Sequence, residues 1–387
     1  SQTFLTNQFN RSARPGYQPS VINHLTYTQT FERLINFKMQ KLKLPKNFNC
    51  IHIRRGDKVG EAAYLISGLT GGTESKRYEV EDYIQKCNLS TKSTFIMTDD
   101  YQSINEVKQY LQQNNLISSI ESELFVEQFT HGYSNLTYLL QIENKEFVLR
   151  KPPIGAIKRG HDMGREFKVQ SSLGTHFLKV PKMYAFTEDE RILGSQFYLM
   201  EKVSGIILNY KEATQRTVTP NDYKIIANTW LDVLVALHRT DYKEIGLSDL
   251  GKPNGYVERQ VFNWGKQYLK ATTTPYPAAV KVMDWMEKHQ PKAYDHCLIH
   301  NDYKYDNVVF KDDSWQEVTA ILDWEMATLG DPLMDLGTSL GYWTVATDHD
   351  FVKQGIPSPT IFEGNPIRSE IAKMYAEKSG RSIDNLV

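Results

Sequence analysis

The spacing of apolar residues changes character near residue 112 of this chain. Between Thr28 and Leu44, Phe31, Leu34, Ile35, Met39 and Leu42 recur near helical spacing and predict a helix that stops at Pro45. Cys50–Arg54 and Ser93–Thr98 are short β-rich runs, with helices predicted from about Val80 to Cys87 and over Ile104–Leu111. That order of strand, loop, helix, strand and helix reads as a piece of parallel α/β sheet. Residues 112–123 are polar and poor in aromatics, and they mark the predicted boundary. Beyond it the period shortens. Leu124–Phe129, Leu136–Ile142 and Phe147–Arg150 predict an antiparallel meander with a turn at Asn144 and Lys145. A helix from about Asp162 to Leu173 and a strand over Gln196–Met200 come next. Long helices are predicted over 221–239, 276–289 and 333–342, with short strands at Cys297–Ile299, Val308–Phe310 and Val318–Leu322 between the last two. The expected architecture is an α+β bilobal unit, with a sheet lobe over 124–203 and a helical lobe over 204–387. A linker at 116–123 joins it to a partial α/β segment over 1–115.

Composition narrows the classes without choosing among them. The 387 residues are 40% hydrophobic and 24% charged, which excludes a disordered or coiled-coil chain. No apolar run approaches the roughly 18–20 residues of a membrane span. A net charge of −1 argues against a nucleic-acid or membrane-surface binder. The charge is unevenly shared: residues 1–115 hold fifteen basic against ten acidic residues, the remainder thirty against thirty-six. Cys50, Cys87 and Cys297 are too few and too scattered for a disulfide framework or a zinc site.

The densest chemistry lies at LIHNDYKYDN, residues 298–307, with ILDWE at 321–325. Phosphoryl transfer asks for a carboxylate that orients the attacking hydroxyl and takes its proton, and for Mg²⁺ to gather the nucleotide oxygens. Asp302, on a loop after a strand, suits the first task. Asn307 offers a hard amide oxygen for the metal and Asp323 a second oxygen ligand of full charge. His300 is expected to brace the loop by hydrogen bonding. Asp331 and Asp335, near a helix start, read as caps.

Six ordered blocks, FTHGYSNLTYLL, FVLRKPP, HDMGREFKVQSSL, FYLMEKVSG, LIHNDYKYDN and ILDWEMATLGDPLMDLG, resemble the aminoglycoside phosphotransferase superfamily. More narrowly they are similar to the kinase-like domain attached to certain acyl-CoA dehydrogenases. The resemblance runs from about Ile120 to the end and implies a protein-kinase-like fold using ATP and Mg²⁺. It implies Asp302 as catalytic base with His300 beside it, and Asn307 and Asp323 as metal ligands. Phe129–Thr137 would be the nucleotide loop, where Gly132 lets the backbone approach and Ser134 and Asn135 donate to phosphate. Arg150 stands where protein kinases place a lysine, Glu166 would pair with it, and the backbone of Met200–Val203, including Glu201 and Val203, would meet adenine. Asn301 replaces the family's usual glycine, and the chain stops at Val387, before the helices that complete the family's substrate lobe. The implied acceptor is a hydroxyl of a small molecule, with an acyl-CoA ester as the branch suggests. A nucleotide-binding pseudokinase is the non-catalytic rival.

The second dense cluster is HIRRGDK, residues 52–58. Paired guanidinium forks at a strand end suit a nucleoside diphosphate. The stretch resembles the donor-binding part of α1,6-fucosyltransferases, a Rossmann-like glycosyltransferase, and IMTDDYQSI at 96–104 resembles that family's next strand. By that resemblance His52, Arg54, Arg55 and Asp57 would contact GDP-fucose, with Asp99 and Asp100 near the nucleoside and no metal required. The two resemblances imply different compartments, a secretory lumen for one and an ATP-bearing cytosol or organelle for the other.

Overall fold

The computed structural model describes residues 49–53, 94–98, 101–129, 135–153, 162–291 and 294–386. The chain divides into two compact units, 1–111 and 112–387. In the first, β1 (Asn49–Ile53) and β2 (Thr94–Thr98) pair in parallel, Asn49 opposite Thr94 and Ile53 opposite Thr98, as the sequence pattern predicts. Helix α1 (Tyr101–Gln113) follows, longer than predicted at both ends, with Val107, Tyr110 and Leu111 buried at helical spacing. Arg54, Arg55, Asp57, Asp99 and Asp100 lie outside the described residues, as do the side chain of His52 and the helices expected at 28–44 and 80–87.

The second unit opens with a five-stranded antiparallel sheet in the order β3-β4-β5-β7-β6. Its strands are β3 (Phe125–Gln128), β4 (Leu136–Ile142), β5 (Lys145–Lys151), β6 (Met183–Thr187) and β7 (Phe197–Glu201). β4 and β5 join through Glu143 and Asn144, both at positive φ, 52° and 60°, the tight hairpin geometry whose twist matches the strands. The Glu143 carboxylate then accepts from the Ser118 and Ser119 amides at 2.8 Å each, tying the entry segment to that turn. Helix α2 (Met163–Leu173) packs on the sheet, started by Asp162, whose side chain accepts from the Arg165 amide at 3.0 Å. A short helix, α3 (Glu190–Leu193), precedes β7.

The helical lobe follows β8 (Ile206–Ile207) and the short helix α4 (Tyr210–Gln215). Its centre is α5 (Pro220–Arg239), started by a Thr219–Asp222 capping box and buried along Ile226, Trp230, Leu234 and Leu237. The paired helices α6 (Tyr256–Ala271) and α7 (Pro277–Lys288) come next. α7 answers to the helix predicted over 276–289, whereas α6 is not predicted, although Val257, Val261, Trp264 and Tyr268 recur there at helical spacing. Strands β9 (Cys297–Ile299), β10 (Val308–Phe310), β11 (Val318–Ile321) and β12 (Thr328–Gly330) carry the two loops of interest. α8 (Pro332–Gly341), α9 (Asp350–Gly355) and α10 (Arg368–Ser379) close the lobe, with α10 packed against α5. A sheet lobe followed by a helical lobe with strand-borne loops is the bilobal arrangement predicted. Among the described residues no helix is long and apolar enough to cross a membrane.

Candidate active site

The loop after β9 alternates polar and aromatic residues, and the alternation decides which way each points. Tyr303 and Tyr305 are buried in the core of the helical lobe, while Asp302 and Lys304 are half-buried above them. The Tyr303 ring stacks on Trp230 at 4.8 Å between centroids, and its hydroxyl donates to the Trp230 carbonyl at 2.8 Å. Tyr305 meets the edges of Trp230 and Trp343. Two aromatic anchors therefore hold a loop whose other residues are free for chemistry.

Asp302 is surrounded by donors. Asn307 Nδ2 donates to its carboxylate and its carbonyl, both at 2.8 Å, and Lys304 Nζ lies 3.0 Å from Oδ1. Because the amide nitrogen of Asn307 is committed in this way, its oxygen is the atom left to meet a cation. Burial opposes the Lys304 charge, but Asp302 more than offsets it and holds the ammonium above its ordinary range. The same ammonium lies 4.6 Å from the centre of the Tyr342 ring.

His300 joins this loop to the one bearing Asp323. Its Nδ1 accepts from the Asp302 amide at 3.2 Å and its Nε2 donates to the Leu322 carbonyl at 3.0 Å. Burial lowers its proton affinity, which agrees with the neutral ring that this pair of bonds requires. The Leu322 amide also donates to the Asn307 carbonyl at 2.8 Å, so the residue preceding Asp323 is held on both sides. Asp323 itself sits at φ 65°, a left-handed conformation that Asp tolerates better than most residues.

On the sheet side, Arg150 on β5 is met by three carboxylates. Its guanidinium donates to Asp323 at 2.5 Å, lies 3.3 Å from Glu325 and sits 3.6 Å from Glu166 on α2. Asn135 donates to Glu325 at 2.7 Å. Burial weighs against the Arg150 charge, yet these carboxylates keep it firmly protonated. Burial also pushes Glu166 up to about 7, because one shared guanidinium does not make up for its lost hydration. Glu201 ends β7, where its amide donates to the Lys182 carbonyl at 2.8 Å; no main-chain hydrogen bond among the described residues engages Val203. Gly132 and Ser134 lie outside the described residues.

Asp331 caps α8, accepting from the Leu333 amide at 2.6 Å. Asp335 is not a cap, and here the expectation needs correcting. It is fully buried, and its carboxylate accepts from the His300 amide at 2.8 Å and the Asn301 amide at 2.7 Å, with His238 Nε2 at 3.1 Å. One turn past the helix start, its side chain faces inward with Leu336 and Ser339, a placement that the helical period itself makes available. Asn301 lies at φ 65°, a conformation open to glycine and, among the rest, most readily to Asn or Asp. Its side chain donates to the Met326 carbonyl at 3.0 Å and meets the Tyr256 hydroxyl. The ring of Tyr256 has room to do so because Gly330 has no Cβ, which would otherwise stand 2.7 Å from it. Lys304 and Glu325 are thus parts of this site to which motif reading alone gives no role, while Asp335 reads there only as a cap and Asn301 only as a departure from glycine.

Residues 126–356 match the model of the phosphotransferase enzyme family. The chain is 36% identical over 241 residues to the mouse acyl-CoA dehydrogenase family member 10, covering 60% of this chain and 22% of that one. It is 34% identical over 284 residues to the rat acyl-CoA dehydrogenase family member 11, covering 72% and 36% respectively. The chain therefore spans between about a fifth and a third of the length of these relatives. A solved structure from Ralstonia eutropha, described as a candidate aminoglycoside phosphotransferase, superposes with a TM-score of 0.59 at 32% identity, covering 72% of this chain and 80% of that one.

Proposed function

This chain belongs to the phosphotransferase enzyme family, and on that premise we propose that it transfers the γ-phosphoryl group of ATP to a hydroxyl of a small metabolite, in a Mg²⁺-dependent reaction. The observation that carries the reading is the coupling of the two loops: His300 bonds both the Asp302 amide and the Leu322 carbonyl, so the proposed base and the proposed metal ligand move as one piece.

The donor set fits magnesium. Mg²⁺ binds through one or two protein oxygens and the substrate's phosphates rather than in an all-protein cage. Asn307 has its oxygen open, and Asp323 adds a carboxylate that it shares with Arg150. Asn307 and Asp323 would hold the ion, which when bound draws the phosphate oxygens together and offsets their charge. Asp302 orients the acceptor hydroxyl and takes its proton, and Lys304 steadies that carboxylate. Arg150 offers a guanidinium to the phosphates, and the backbone at Val203 offers an edge for adenine. The names of the curated relatives support a hydroxyacyl-CoA as the acceptor.

The test is turnover of Mg·ATP by the full chain across a panel of hydroxyacyl-CoA esters. Asp302→Asn and Asp323→Ala should each lower kcat by about 10²-fold or more. Equal turnover by all three proteins sinks the reading. For the first unit, we propose GDP-fucose as the ligand of HIRRGDK on its sequence alone; GDP should raise the melting temperature and Arg54→Ala should remove the effect.

A further inference from the structure

We propose that Tyr375, on α10, is a positioning residue for Asp302, acting through the buried side chains of His238 and Asp335. Tyr375 lies beyond residue 356, where the family match ends, and its side chain is fully buried. Its hydroxyl lies 2.8 Å from His238 Nδ1, and the opposite ring nitrogen, Nε2, lies 3.1 Å from Asp335 Oδ2. The Asp335 carboxylate accepts from the amides of His300 and Asn301, the two residues before Asp302.

The direction of each bond follows from the chemistry of the groups. Although burial works against its charge, the His238 ring and the His300 amide keep Asp335 ionised, so it can only accept, and His238 Nε2 must carry a proton. With Nε2–H committed to Asp335, Nδ1 is the ring atom that faces the Tyr375 hydroxyl. Burial raises the Tyr375 phenol far above physiological pH, so its hydroxyl keeps the proton that Nδ1 can accept. The order is Tyr375 O–H to His238 Nδ1, His238 Nε2–H to Asp335, and Asp335 from the two loop amides. Tyr375 thereby holds the ring against rotation and keeps Nε2–H on Asp335. Asp335 keeps its acceptor capacity pointed at the loop. Remove the hydroxyl and the ring is free to turn, the carboxylate loses its fixed donor, and the loop that carries Asp302 loosens.

The kinetic consequence rests on the phosphotransferase reading above. In the full chain, Tyr375→Phe should lower kcat about tenfold, because a small misplacement of a reacting group is costly. KM for ATP should stay within about twofold, since neither Arg150 nor Glu166 bonds Tyr375, His238 or Asp335. A variant that turns over like the parent, or one whose KM moves as much as its kcat, overturns the proposal. Absence of turnover by the parent would instead fail the phosphotransferase reading. Nitrogen NMR of the histidine rings in the parent supplies a measurement that needs no variant: His238 should show a proton on Nε2 and none on Nδ1. A protonated Nδ1 overturns the proposal whether or not Tyr375→Phe folds.

Discussion

Two buried carboxylates, one in each lobe, meet opposite fates. Asp335 and Glu166 are both almost wholly removed from water, yet Asp335 is held below the usual carboxylate range and Glu166 is pushed up to about 7. Burial penalises both. The difference lies in their donors: Asp335 receives two backbone amides and an imidazole within 3.1 Å, whereas Glu166 has a guanidinium at 3.6 Å that it shares with Asp323 and Glu325. Fixed donors, not depth, decide whether a buried acid stays charged. The helical lobe therefore holds its buried acid in a finished set of donors, while Glu166 of the sheet lobe has one guanidinium that it shares with Asp323 and Glu325 of the helical lobe.

The strongest way to break this comparison is to remove Asp335. Asp335→Ala strands two loop amides and the His238 ring N–H in the core, and the loss should be about 3–5 kcal/mol. Urea unfolding at neutral pH measures it. A loss under about 1 kcal/mol would mean that the loop stands by aromatic packing alone. Asp335→Asn should fall between, since one acceptor oxygen survives.

The role of Asp335 also marks how far the sequence can be read. The order of LIHNDYKYDN and ILDWE states which residue types lie on the two loops, and the strand periods before each place them at strand ends. Partnership across distance is another matter. His238 and Asp335 are 97 residues apart and His238 and Tyr375 are 137 apart, and no local pattern links them. α10 is a similar case: only Ile371, Ala372 and Tyr375 are buried in it, so its apolar stripe is too thin to stand out from a polar segment. The hairpin between β4 and β5, by contrast, is a local signal, although the sequence pattern places its turn at Asn144 and Lys145, one residue late, and the structure turns at Glu143 and Asn144.

Next in size is a pH effect of opposite sign at the two acids. Between about pH 4.5 and 7 the folded state holds a proton on Glu166 that the unfolded state has released. The folded state then binds more protons, so this group's contribution to stability falls as pH rises through that window, by about 2–3 kcal/mol, and is flat above it. Glu166→Gln should lack the decline, giving a melting temperature less dependent on pH than the parent's over this range. Asp335 behaves the other way: its contribution is in place above about pH 3.8 and is lost only as pH falls below that. If Glu166→Gln and the parent trace parallel curves from pH 4.5 to 7, Glu166 is already ionised in the fold and the sheet-lobe half of the comparison fails.

The smallest expected effect sits where the scaffold touches the loop that carries Asp302. Asn301 combines a left-handed backbone with a side chain bonded to the Met326 carbonyl, and the two contributions can be separated by two substitutions. Asn301→Gly keeps the backbone free of strain and loses the side-chain bond, about 1 kcal/mol. Asn301→Ala loses the same bond and also holds a Cβ in the left-handed region, which should add about 1 kcal/mol more. Unfolding midpoints of the pair, measured beside the parent, give the backbone term as the difference between Ala and Gly. Equal midpoints would mean that the loop relaxes out of the left-handed conformation at no cost. In that event the amides of His300 and Asn301 need not both reach Asp335, and the scaffold would be less rigid than its hydrogen bonds imply.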